Sequence, residues 1–286
     1  MMSNASTPCV CSLRKATYQF VQIPLGAGAF LFNVVIVAAV ARKQELRNRK
    51  DAIIIGGLAL ADSAEGFATL LAGIYRSVGL WSGWACQCIS KLLCMLLPQS
   101  LIWRWSEFAT AFMLLAVSTD RWLAVHRPLY HYGLNRPYAL KMVSFVYMLG
   151  VLNLIISFYH PITYQSTVIP AYCSSSETVA KLYYQYSKYT ASVASFLSVL
   201  VFAEVVVRFK SHKRTRVAEA TTKTSGKLSL SEMNQARKLQ QRLTVTLAIS
   251  SLCTLFLDSI PRAYGIYITY NPEANLFGEY KIISFN

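Results

Sequence analysis

The chain has 286 residues, 54% of them hydrophobic and only 14% charged, with mean hydropathy +0.37 and a formal net charge of +15. Soluble domains carry about 25% charged residues. Such scarcity of charge, set in long apolar runs, excludes an ordinary soluble fold and points to a membrane protein.

A spanning helix needs about 20 apolar residues. After a polar tail over 1–19, such runs occupy 20–41, 52–74, 92–119, 139–159, 189–209 and 243–268. The third contains Arg104 and Glu107, and its extra length allows tilt. A seventh begins near 279, and the chain stops at Asn286 after "KIISFN", a stub too short to cross a bilayer. Stretches such as "AFLFNVVIVAAVA" are apolar on every face. Barrel strands instead alternate over about 10 residues, so each run reads as helix. No internal repeat is visible, which weakens a transporter built from repeated halves. The expected fold class is an all-α membrane bundle, one transmembrane domain over 1–286 without a soluble domain.

Lys and Arg set the orientation. The segment "RKQELRNRKD" holds five, residues 121–141 hold four, and residues 208–242 hold ten, together 19 of the 28 in the chain. The intervening loops are sparse, with Arg76 and Lys91 in one and Lys181 and Lys188 beside another. The positive-inside rule therefore places these basic loops in the cytoplasm and the N-terminus outside. Basic residues split among short loops beside apolar runs argue for a lipid bilayer as partner and against nucleic acid. The first 19 residues lack an apolar core, so no cleavable signal is expected. Asn4, in "NAS", is a glycosylation sequon on the expected outer side.

Seven cysteines occur. Cys9 and Cys11 lie in the tail, Cys86, Cys88 and Cys94 precede or begin the third run, Cys173 lies between the fourth and fifth runs, and Cys253 reads as a small core residue. An oxidising outer face favours a disulfide. The expected bridge joins Cys173 to the outer end of the third helix, with Cys94 the first choice. Cys86 and Cys88 stay open, because connectivity is not readable from sequence.

Polar residues inside the runs carry the most information, since they face the bundle interior. Asn33 falls in the middle of the first run and Asp62 in the middle of the second. Both are candidates for an interhelical polar network. The plainer reading of Asn33 is a single helix–helix hydrogen bond, about 1 kcal/mol or less.

"LALAD" in the second run, "STDRWLAVHRPLYH" at the inner end of the third and the Pro of "LDSIPRAYG" in the sixth resemble the rhodopsin-like G-protein-coupled receptors. The order and spacing of Asn33, Asp62, Arg121 and Pro261 are similar too. Within that family, "LALADSAEGFATLLAGIYR" resembles the nematode serpentine chemoreceptors of the Srsx type. The resemblance implies a seven-transmembrane receptor bundle, here with its seventh helix truncated or missing. It implies a heterotrimeric G protein as partner, contacted by Asp120 and Arg121, with the segment at Pro128 and Leu129 docking into a cleft of that protein. It also implies an activation network of Asn33, Asp62, Thr110 and Pro261, and a sensory receptor at the plasma membrane, that of a sensory cilium included. Physically, Asp120 can partly neutralise Arg121, and Arg can send its head to the interface while burying its stem.

The chain departs from the family in several places. Gln241 stands where an acid would clamp the Arg from the sixth helix, so the resting state is expected to rest on Asp120 and packing. Ser259 replaces the aromatic toggle, and the usual Trp of the fourth helix and Pro of the fifth are missing. The Asn-Pro-x-x-Tyr motif is not in "KIISFN", which leaves a sodium site at Asp62 and Thr110 without its usual partner.

Ligand candidates come from the outer halves of the third and sixth runs. Trp103 and Glu107, four apart, share one helix face, and Arg262 follows Pro261. Together they suit a small-molecule or peptide ligand, zwitterionic or acidic. The plainer reading is an internal Arg104–Glu107 pair. Tyr183, Tyr184 and Tyr186 read as an interfacial aromatic belt. No metal-spaced His/Cys cluster, glycine-rich phosphate loop or nucleophile elbow is present, so no enzyme, cofactor or metal is expected. The rival class is a transporter or channel using Asp62, Glu65, Glu107, Glu204 and Asp258; a truncated, non-signalling receptor product is the other alternative.

Overall fold

The computed structural model describes residues 16–164 and 167–220, with side chains described over 21–164 and 167–208. Asn4, Cys9, Cys11, Gln241, Cys253, Asp258, Ser259, Pro261, Arg262, the sixth run and the stub at 279–286 lie outside that range.

In chain order the elements are α1 (Ala16–Arg42), α2 (Gln44–Asn48), α3 (Lys50–Trp81), β1 (Cys88–Ser90), α4 (Lys91–Leu96), α5 (Pro98–His126), α6 (Pro128–Gly133), α7 (Arg136–Thr163), β2 (Val168–Pro170), α8 (Ser175–Thr178) and α9 (Lys181–Ala220). Among the described residues five helices are long and apolar enough to cross a membrane: α1, α3, α5, α7 and α9. Helices α2 and α6 are short pieces at the basic end, α4 and α8 at the end that carries the disulfide.

One apolar run proves to be two helices. Residues 92–119 read as continuous, but Leu97 is extended (φ −61°, ψ 134°) and Pro98 opens α5. The ring of a proline disfavours helical backbone in the residue before it, while its fixed φ suits the first helical position. The chain therefore breaks at Leu97, and α4 starts separately behind Ser90, whose hydroxyl accepts from the Leu93 amide at 3.2 Å.

The core sits where α3, α5, α7 and α9 meet. Ile54, Leu58, Met113, Leu114, Val117, Ala139, Val146 and Phe202 form its main cluster. Polar groups add cross-links that lipid cannot supply. The Tyr147 hydroxyl donates to the Gly57 carbonyl at 2.6 Å, joining α7 to α3, and Ser118 meets Ser198 at 2.6 Å, joining α5 to α9. Helices α1 and α3 touch backbone to backbone through glycine. A Cβ on Gly26 would lie 2.5 Å from the Leu70 amide nitrogen, and one on Gly66 would lie 2.6 Å from that of Phe30. Small residues allow this approach.

Two strands, which apolar run-reading does not register, close the disulfide end. They pair antiparallel, Cys88 opposite Pro170 and Ser90 opposite Val168. The Ala171 amide donates to the Gln87 carbonyl at 2.7 Å and that of Tyr172 to Ala85 at 2.9 Å, so the second connecting loop lies on the first.

Candidate functional site

Near the basic end of α5, in the turns before its last residue His126, stand Asp120 and Arg121, and both are buried, at 0% and 4% exposure. Arg121 does not rest mainly on its sequence neighbour. Its Nη2 donates to Oδ1 of Asp51 at 2.9 Å, whereas Oδ2 of Asp120 is 3.7 Å away. Asp51 lies in the first turn of α3, where a carboxylate is favoured by the positive end of the helix dipole. To Asp120 and packing, on which the resting state was expected to rest, the fold adds this second acid. No sequence spacing signalled it, because Asp51 and Arg121 are 70 residues apart and meet only when α3 packs on α5.

Asp120 has its own partner. Nε2 of His131, in α6, lies 3.1 Å from Asp120 Oδ1. The carbonyl of His131 accepts in turn from Nζ of Lys50. A second histidine does likewise: His126 Nε2 is 3.1 Å from Glu204 on α9, which also accepts from the Trp122 indole at 3.1 Å. These two histidines are each committed to a carboxylate. Asp51, Asp120 and His131 bring potential ligand atoms within 4.8 Å of one another. The Arg121 guanidinium, within 4 Å of both carboxylates, supplies the positive charge there.

Beyond Arg127, Pro128 starts α6. Leu129 stands 90% exposed on it, an apolar side chain displayed beside the buried Arg121 site.

Of the candidates for an activation network, Asn33, Asp62 and Thr110 are among the described residues. Asn33 donates to Ala29 of its own helix at 2.9 Å, so it satisfies itself locally rather than bridging helices. Asp62 is half-buried on α3. Thr110 Oγ1 is buried and has no hydrogen-bond partner among the described residues.

At the disulfide end, Cys94 and Cys173 are bonded to each other, and Cys86 and Cys88 are disulfide-bonded as well. Cys173 holds a left-handed backbone (φ 53°), uncommon for a residue with a Cβ. Beneath that loop lies a group of buried charges. Glu107 of α5 pairs with Lys188 of α9, Oε1 to Nζ 2.6 Å, both buried. Lys188 read as a loop-edge cation; in fact α9 begins at Lys181 and carries it two turns inside. Arg104, expected against Glu107, donates to the Ser175 carbonyl at 2.7 Å. Arg76, read as a loop residue, is buried on α3 and donates to the carbonyls of Tyr172 (3.3 Å) and Cys173 (3.1 Å). Its guanidinium also stacks over Tyr172 (4.8 Å) and Trp103 (5.9 Å). Tyr183, expected in a lipid-facing belt, donates inward to Asn153 at 2.9 Å.

Among the described residues, five apolar helices carry a buried Asp-Arg pair at one end and a disulfide-anchored loop over buried charges at the other. A family model described as 7 transmembrane receptor (rhodopsin family) matches residues 32–262. The chain belongs to that family and is a multi-pass membrane protein of the seven-transmembrane receptor class. No curated protein matches it significantly.

Proposed function

We propose that the chain is a chemosensory receptor of the plasma membrane. It binds a small molecule or peptide at the disulfide end, which faces outside, and activates a heterotrimeric G protein at the basic end through Asp120 and Arg121. The observation that carries this reading is the state of Arg121: a buried cation held at 2.9 Å by a carboxylate on a neighbouring helix. An ion pair between two helix ends breaks when those ends move apart, and the freed guanidinium can then meet the carboxy-terminal carbonyls of a partner. The exposed Leu129 on α6 gives the same partner an apolar anchor. The disulfides support an outward orientation for their end, and the basic loops support a cytoplasmic one for theirs.

The test is G-protein activation in cells, read beside surface abundance, for the unaltered chain and Arg121→Ala. Loss of activation at unchanged abundance is the expected result. Normal activation by the variant, or ligand-evoked current without G-protein turnover, overturns it.

A further inference from the structure

We propose that His126 and Glu204 form a proton-operated latch between the basic ends of α5 and α9, closed when the pair holds one proton more than a neutral imidazole and a carboxylate do. Its control of signalling rests on the receptor reading above; the contact itself does not.

The argument starts from donors and acceptors. A neutral imidazole has one N–H, and an ionised carboxylate has no donor. Both ring nitrogens of His126 face oxygens. Nδ1 lies 3.1 Å from the Trp122 carbonyl, and Nε2 lies 3.1 Å from Oε1 of Glu204. With a neutral ring and an ionised carboxylate, one nitrogen turns a lone pair towards an oxygen. One further proton, which belongs to the pair, satisfies both contacts. Three neighbours suit it on the ring. The Trp122 indole donates to Oε2 of Glu204 at 3.1 Å, and Nε of Arg208 stands 3.4 Å from Oε1. The imidazole also stacks on the Trp122 indole, centroids 4.3 Å apart at 22°, over the face that attracts a cation.

The other charged groups at this end have their own partners. Asp51 of α3 holds Arg121, Lys50 of α3 reaches the His131 carbonyl, and His131 of α6 meets Asp120. From α7 come only cations, Arg136 and Lys141. Among the described residues Glu204 is the acid on His126. About two turns deeper, Ser118 and Ser198 already join α5 to α9, so the latch governs the stretch of α9 beyond them. The same arrangement keeps Arg121 on Asp51. A closed latch therefore belongs with the resting state, and loss of the proton loosens the end of α9. Plain packing also explains the stacked rings. It does not explain why both ring nitrogens face acceptors.

The experiment uses the full chain, purified in detergent, with unfolding temperature recorded at pH 6 and pH 8. A contact that holds an extra proton in the folded state stabilises on the acid side and fades as pH rises. The unaltered chain should exceed His126→Gln by roughly 2 °C at pH 6, the shift expected of one partly exposed pair, and the gap should close towards pH 8. Glu204→Gln should behave alike, and the double variant no worse than either. His126→Arg, a permanent planar cation that can still stack on Trp122 and reach Glu204, should keep the gap at both pH values. Should His126→Gln not fold, the gap is read against His126→Arg, which should gain on the unaltered chain as pH rises. A gap that ignores pH, or one that closes for His126→Arg as well, overturns the latch. In cells with clamped cytoplasmic pH, ligand-free G-protein activation should rise about threefold from the acid to the alkaline setting and stay flat in His126→Arg. A pH-dependent gap with flat activation supports the contact and overturns its control of signalling. Such a gap with no activation at any pH supports the contact and counts against the receptor reading instead.

Discussion

Arg121 and Asp51 meet at 2.9 Å across the ends of α5 and α3, and that contact, more than the adjacent Asp120, defines the resting place of the arginine. Gln241, expected where an acid would clamp the arginine from the sixth helix, lies outside the described residues. Among the described residues the restraint comes from α3. A carboxylate in a first helical turn is already favoured there, so a strong pair forms at little additional cost.

Asp51→Asn should therefore raise ligand-free signalling. The side chain is 24% exposed, so solvent screens part of the pair. A loss of about 1.4 kcal/mol corresponds to roughly tenfold in the resting-to-active ratio. Basal G-protein activation normalised to surface abundance is the measurement. Unchanged basal output would remove Asp51 from the restraint.

His131→Ala should lower the amount of folded receptor. It strips the 3.1 Å partner from Asp120 Oδ1, and Oδ2 has no hydrogen bond to compensate. An unsatisfied buried group costs about 1–3 kcal/mol. His131→Asn, which can still donate, should recover part of the loss. Surface abundance and unfolding temperature of the two variants decide it.

Reversing the buried pair tests Glu107 and Lys188. Each single change, Glu107→Lys or Lys188→Glu, sets like charges 2.6 Å apart in the bundle and should block delivery to the surface. The double reversal should recover much of it, because breaking a buried pair costs more than exchanging it, about 3–5 kcal/mol for one partner removed. Additive loss in the double variant would show that the two residues act separately.

Cys94→Ser and Cys173→Ser should each reduce surface delivery, and together do no more harm than either alone. A bonded pair is one unit, so its two deletions do not add. Flow cytometry of the three variants measures this.

Gly66→Val should separate α1 from α3, since even a Cβ there would lie 2.6 Å from backbone. Gly28→Ala, with nothing within 4 Å of the new methyl, should be silent. Equal expression of both would mean that α1 docks elsewhere.

Much of this was legible in the linear chain. Runs of about 20 apolar residues dictate helices because lipid offers the backbone no hydrogen-bond partners, and five described helices follow from them. The Asp-Arg pair was legible because both charges are adjacent in sequence and interrupt an apolar run. What escaped depends on two segments meeting. Asp51 and Arg121 are separated by 70 residues, His131 and Asp120 by 11 across a break in the helix, and Glu107 and Lys188 by 81. Hydropathy carries no term for which helix ends lie side by side, so Asp51 looked like one more loop charge and Lys188 like a boundary cation. Composition and the length of the apolar runs determined that this protein crosses the membrane; the break at Leu97 and the start of α9 at Lys181 came only with the fold. Tertiary packing alone decided which buried charge faces which, because in a low-dielectric interior a charge takes whatever counter-charge or dipole the neighbouring helix brings within about 4 Å.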